Sequence, residues 1–153
     1  MSSYRMRPNI LALDLEGTLI SNAVSQIPRP GLREFLDHVW RTFDEVVLFT
    51  TVPRHAALRI ALLLAEEGHV PRWFVEVRYV EWTGPTKDLR FVSSRLGETL
   101  LLDDHGAYIH PGQHQFWVEA PLFASPYPAD DCGLQISQRR IEERVSKLSK
   151  SPA

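Results

Sequence analysis

Along this chain, uninterrupted apolar runs alternate with stretches whose apolar residues recur every three or four positions. Ile10 to Leu13 form such a run inside Asn9 to Leu15, the pattern of a strand buried on both faces. After Pro30, the residues Leu32, Phe35, Leu36, Val39 and Trp40 fall at helical spacing, so a helix is predicted there. Glu45 to Thr51 reads as a second buried strand. A helix begins near Pro53 and stops at Gly68, in keeping with the preferences of proline for helix starts and glycine for helix ends. RWFVEVRYVEW (72–82) alternates and predicts a strand with a loop end near Gly84 and Pro85. KDLRFVSSRLG (87–97) predicts a short helix closed by Gly97, ETLLLDD (98–104) a buried strand ending in two acids, and QFWVEAP (115–121) a last short strand. A proline-rich connection follows. Leu134, Ile141, Val145 and Leu148 then make one stripe of a C-terminal helix.

Strands alternating with helices imply right-handed crossovers and a mainly parallel sheet. The predicted fold is α/β, a Rossmann-like three-layer sandwich. Residues 1–130 are the expected core, and 131–153 a helical segment docked on it. The length of 153 residues, with 44% hydrophobic and 24% charged, fits one globular domain with a real core. A net charge of −2 provides no global basic field for nucleic acid. Cys132 is the only cysteine, which excludes an internal disulfide and makes a reducing, cytoplasmic location the expectation. The apolar run near the N-terminus is short and holds Asp14, unlike a signal peptide or a membrane span.

In parallel sheets, ligands bind beyond the carboxyl ends of the strands. Three predicted strands end in polar residues at that edge: Asp14 and Glu16, Thr50 and Thr51, Asp103 and Asp104. Lys87 precedes the helix that leads into the third. A strand-end carboxylate can attack phosphorus to give an aspartyl-phosphate. A second acid two residues later points to the same side if the strand period continues, and can protonate the leaving oxygen and then deprotonate water. Lysine, a threonine hydroxyl, backbone N–H groups and Mg²⁺ stabilise the spread charge of a transferring phosphoryl group.

These segments carry a resemblance. DLEGT (14–18) resembles the first motif of the haloacid-dehalogenase superfamily, usually D-x-D-x-T, and VVLFTT (46–51) resembles the second. TKDLRFVSSRLGETLLLDDHGAYIHPGQ (86–113) is similar to the third and fourth motifs of the NLI-interacting-factor-like branch, which includes phosphatases of the RNA polymerase C-terminal domain. Lys87, Asp88, Leu89, Tyr108, His110 and Pro111 match that branch. Each motif alone is weak evidence; four in order are strong. The resemblance implies that Asp14 is nucleophile and metal ligand, that Glu16 is acid/base with its carbonyl on the metal, and that Thr50 binds the phosphoryl group with Thr51 beside it. It further implies that Lys87 neutralises the phosphoryl group, that Asp104 ligates Mg²⁺ and Asp103 supports Lys87 or the reverse, and that Thr18 braces the turn. Glu16 departs from the family's usual Asp. A working enzyme of shifted geometry, a slow enzyme and a phosphate-binding relic all stay open at this residue.

The short intervals between motifs leave no room for a separate cap domain. An uncapped site suits a phosphate on a macromolecule, a phosphoprotein ahead of a nucleic-acid 3′-end, and the loop LISNAVSQIPRPG (19–31) and the segment VRYVEWTGP (77–85) are expected to flank it. Thr51 is also placed as a helix cap. His105, His110 and His114 are read as loop histidines, since no cysteine joins them in a familiar zinc spacing. Arg29, Arg54 and Arg72 are candidates for contact with an anionic substrate, but each is placed on the surface first. Trp73, Trp82, Trp117 and Tyr79 are placed in the core or on strand faces.

Overall fold

The structure is a computed structural model in which residues 7–150 are described. Five parallel strands, β1 (Ile10–Leu13), β2 (Glu45–Leu48), β3 (Arg78–Tyr79), β4 (Thr99–Asp103) and β5 (Trp117–Glu119), form one sheet in the order β3-β2-β1-β4-β5. Helices α1 (Leu32–Thr42), α2 (Arg54–Glu66) and α3 (Gly133–Lys150) flank it. This is the α/β architecture expected from the alternation of patterns, with β1 at the centre because its ILAL run is buried on both faces. Chain direction across the sheet reverses between β1 and β4, the switch point at which such sheets open a crevice.

Each helix follows from its sequence. Gly31 enters α1 in the left-handed region at φ 79°, a conformation glycine adopts at no steric cost. Leu32, Phe35, Leu36 and Val39 face the core, while Glu34 in the first turn and Arg41 in the last complement the helix dipole. Helix α2 buries Ala57, Ile60, Ala61 and Leu64. Helix α3 packs Leu134, Ser137 and Ile141 inward and lies against α1 and β5.

Two predicted elements differ. Arg72–Trp82 is not one strand: Arg72–Glu76 is a 3-10 helix and only Arg78 and Tyr79 pair with β2. Pro71, Phe74 and Val80 are buried, with Val77 half-buried between them, a spacing of three that suits 3-10 geometry. Trp73 stacks on Trp40 with ring centroids 4.3 Å apart, which rewards the turn. Lys87–Gly97 contains one 3-10 turn, Leu89–Phe91, in place of the predicted helix. Ser93 there donates to the Glu98 carboxylate at 2.6 Å, the kind of local side-chain bond that competes with helix formation.

Candidate active site

The strand register sets the site. Leu13 pairs with Leu48 on one side and Leu102 on the other, and the Asp14 N–H donates to the Leu102 carbonyl at 3.0 Å. Asp14 and Asp103 are therefore neighbours across adjacent strand ends. Lys87 arrives from the side, its N–H donating to the Tyr108 carbonyl at 2.7 Å. Its ammonium donates to Asp14 Oδ1 at 2.9 Å and to Asp103 Oδ2 at 2.6 Å, and lies over the rings of Tyr108 and Phe49. Thr18 Oγ1 lies 2.8 Å from Asp14 Oδ2 and 3.0 Å from Asp104 Oδ1, so one hydroxyl proton serves two carboxylates. Oxygens of Asp14, Asp103 and Asp104 come within 4.8 Å of one another.

Burial pushes the Asp14 carboxyl well above its usual range; Lys87 opposes the shift, and Asp103 and a bond with Asp104 add to it. Burial likewise raises Asp103 against the pull of Lys87. For Lys87, burial works against the ammonium, but Asp14 and Asp103 outweigh it and hold the group above its ordinary value. Three carboxylates thus cluster beside one ammonium, which pairs with Asp14 and Asp103. The remaining negative charge and the all-oxygen donor set suit a small hard divalent cation such as Mg²⁺.

Gly17 answers to two demands. Its φ is +75°, and a Cβ there would stand 2.8 Å from Asp104 Oδ2 and 3.0 Å from Leu122 Cδ1. Only glycine permits both the turn and the close approach of the acid. The turn also ends the strand period after Leu13, since the Leu15 carbonyl accepts from Leu19 N–H at 2.9 Å. The Glu16 carboxylate consequently does not join the three-acid cluster; its Oε2 accepts the Ala23 N–H at 2.7 Å.

Thr50 is buried and its Oγ1 accepts the Val52 N–H at 3.1 Å, leaving its hydroxyl proton available. Thr51 is exposed on the turn into α2, and Pro53 rather than Thr51 stands at the helix cap, with no side-chain capping bond. The cap reading of Thr51 is thus corrected, because two residues separate it from the helix boundary. Arg54 and Arg72 are exposed, as expected, but Arg29 is not: it is 1% exposed and ion-paired to Asp131 at 2.7 Å. The sequence hid the burial of Arg29 because its partner lies 102 positions away. His105 and His114 are exposed, whereas His110 is half-buried and its Nδ1 shares a 2.7 Å hydrogen bond with the Thr86 hydroxyl.

Sequence reasoning missed a pair of supports for the strand ends. The Trp82 indole N–H donates to the Thr50 carbonyl at 2.9 Å, and that of Trp117 to the Asp103 carbonyl at 2.9 Å. It also missed Gln113, which is buried and bridges the Leu89 N–H and the Asp88 carboxylate at 2.9 and 2.8 Å. Nothing in a one-dimensional pattern marks a tryptophan as a donor to a strand-end carbonyl.

The NLI interacting factor-like phosphatase family matches residues 9–147. The chain belongs to that family. Among solved structures, the chain is similar to the fission yeast RNA polymerase II CTD phosphatase Fcp1, in a variant form bound to beryllium fluoride. The TM-score is 0.53 at 15% identity, with 92% of this chain and 50% of that one covered. The likeness is one of fold, and this chain spans about half the length of the yeast chain. No curated protein sequence matches it. No helix among the described residues is long and apolar enough to cross a membrane.

Proposed function

We propose that this family member is a Mg²⁺-dependent phosphomonoester hydrolase that works through an aspartyl-phosphate on Asp14. The observation that carries the reading is the placement of the Lys87 ammonium between Asp14 and Asp103, with Asp104 tied to Asp14 through Thr18. Mg²⁺, held by Asp14, Asp104 and the Glu16 carbonyl, would supply charge neutralisation at the phosphoryl oxygens. Asp14 attacks phosphorus, and the bond to the leaving oxygen breaks as Glu16 supplies it a proton. Glu16 then takes a proton from the water that attacks the aspartyl-phosphate, which returns Asp14 and releases phosphate. Lys87 and the Thr50 hydroxyl steady the phosphoryl oxygens, with the exposed Thr51 at the rim of the same site. Asp103 keeps Lys87 aligned.

The substrate class we propose is a phosphate on a macromolecule, a phosphoprotein first. The interval from Asp14 to Thr50 holds one long loop, α1 and β2, too little to enclose a small metabolite. The yeast neighbour is named for a protein substrate, and the single exposed Cys132 accords with a reducing, cytoplasmic setting. A second reading is a phosphate-binding domain without turnover, favoured by the engagement of Glu16 with the Ala23 N–H. Turnover of an aryl phosphate with Mg²⁺, abolished by Asp14→Asn, is expected and separates the two. Phosphate or phosphopeptide binding without any turnover would establish the second reading. Salt-dependent binding of oligonucleotides bearing a 3′-phosphate would shift the substrate to nucleic acid.

A further inference from the structure

Among the described residues, Arg29 is the largest fully buried side chain, and the chemistry above makes no use of it. Its Nε donates to Asp131 Oδ2 at 2.7 Å and its Nη2 to Asp131 Oδ1 at 3.2 Å. Its Nη1 donates to the Thr18 carbonyl at 3.1 Å and to the Pro121 carbonyl at 2.6 Å. The guanidinium also lies over the Phe123 ring, 5.2 Å from its centroid. One planar group thus joins the turn that follows Asp14, the segment after β5 and the entrance of α3.

The surroundings are shaped to this group. A Cβ on Gly133 would collide with the guanidinium, so any side chain at the first residue of α3 would displace Arg29 from this place. The Gly133 N–H donates to the same Asp131 oxygen as Arg29 Nε, at 3.0 Å. The Arg29 N–H itself donates to the Leu19 carbonyl at 3.0 Å, and the Phe123 N–H to the Gly17 carbonyl at 2.9 Å. Three successive residues of the turn, Gly17, Thr18 and Leu19, therefore have their carbonyls fixed by Arg29 or by the segment it holds.

Thr18 is where this matters. It is fully buried, and a β-branched side chain on a fixed backbone keeps few rotamers. Its hydroxyl is the bridge between Asp14 and Asp104. We propose that Arg29 is a positioning residue: anchored by Asp131, it fixes the Thr18 carbonyl and thereby the spacing of the Asp14 and Asp104 carboxylates that hold the cation. The inference rests on the phosphatase reading and adds to it the C-terminal helix as part of the site's support. Because Asp131 balances its charge, Arg29 acts through geometry. Lysine, with a point charge and no planar fork, cannot make all four bonds.

The test compares Arg29→Lys, Arg29→Ala and Asp131→Asn with wild type by three measurements. These are thermal unfolding, calorimetric titration of Mg²⁺ into metal-free protein, and kcat and KM on an aryl phosphate, scaled to folded protein. Arg29→Lys is expected to weaken Mg²⁺ binding by about 10-fold or more, as loss of a partner behind metal ligands does, and to lower kcat with little change in KM. Guanidinium chloride at millimolar levels should restore part of both losses in Arg29→Ala and none in wild type. Arg33→Ala, which removes an exposed bond to the Gly68 carbonyl, should change neither. If Arg29→Lys or Arg29→Ala does not fold, the nearly isosteric Asp131→Asn carries the comparison, with a smaller loss in the same direction. Variants that melt lower yet keep wild-type Mg²⁺ affinity and kcat overturn the proposal, since the clamp would then serve stability alone. Wild type that neither binds Mg²⁺ nor turns over would overturn the phosphatase reading and this proposal together.

Discussion

Among single side chains, Asp14 and Asp103 are costly to bury in their charged forms without a cation. Burial raises the Asp14 carboxyl, which means that its charged form is less favourable in the folded protein than in the unfolded one. Asp14→Asn is therefore expected to raise the thermal midpoint of the metal-free protein at neutral pH while removing turnover, a trade common where activity requires crowded charge. Differential scanning calorimetry with chelator measures it; a lowered midpoint would mean that the Lys87 bond outweighs the burial. Glu16 gives a second prediction. Shortening it by one methylene should break the 2.7 Å bond with the Ala23 N–H and displace the acid. Glu16→Asp is expected to lower kcat by about 10-fold or more, within the range that a positioned general acid supplies. The loss should appear for esters of good and poor leaving groups alike, because release of the intermediate also needs the base. A gain on the poor leaving group would identify Glu16 as a compromised version of the family's aspartate.

At the element scale, β5 lies at one border of the sheet, where unpaired carbonyls invite pairing with another chain. Helix α3 covers that border. Arg140 donates to the Glu119 carbonyl at 2.7 Å, and Arg144 donates to those of Gln115 and Trp117 at 2.8 and 2.7 Å. Arg144→Ala should cost about 1–2 kcal/mol in denaturant unfolding, as charged hydrogen bonds to main-chain carbonyls do, and should raise the tendency to associate at high concentration. Light scattering and urea titration report the two effects separately. At the other border, β3 has only two residues, and so short an edge offers little to a partner strand. The apolar faces of α1 and α3 meet beside a groove of about 300 Å³ whose apolar lining includes Val39, Phe43, Ile141 and Val145.

At the scale of the whole molecule, the Arg29–Asp131 pair links the stability of the chain to pH. Although burial opposes its ionisation, the bonds from Arg29 and Gly133 hold the Asp131 carboxyl below its ordinary value. A carboxyl depressed in the folded state stabilises at pH above the unfolded value, near 4, and loses that contribution as pH falls through the folded value. Wild type should therefore be more stable than Asp131→Asn at pH 7, with the gap closing as pH falls below about 4. Chemical denaturation at a series of pH values measures this; a gap that is constant with pH would show that the pair contributes by packing alone.

Local pattern along the chain encodes the order of elements, the parallel sheet and the edge at which the acids gather. Those features depend on local periodicity: ILAL, EVVL and TLLL read as buried strands, and polar residues follow ILAL and TLLL at once and EVVL after Phe49. Asp14, Asp103 and Asp104 were legible for the same reason, Lys87 through its place in the KDL motif and Thr18 through its place in the DLEGT motif. Tertiary structure decided what local pattern does not encode. The 72–82 segment alternates like a strand, yet packing against Trp40 made half of it a 3-10 turn. Glu16 sits two residues from Asp14 but turns to Ala23, because the chain leaves the strand period at the turn held by Gly17. Trp82, Trp117 and Gln113 act on carbonyls, amides and acids distant in the chain. Arg29 has the composition of a surface residue and the place of a core one, because its charge is balanced by Asp131 from the far end of the chain. A buried cation needs its counter-charge and its four acceptors at once, and only the folded chain brings them to one point.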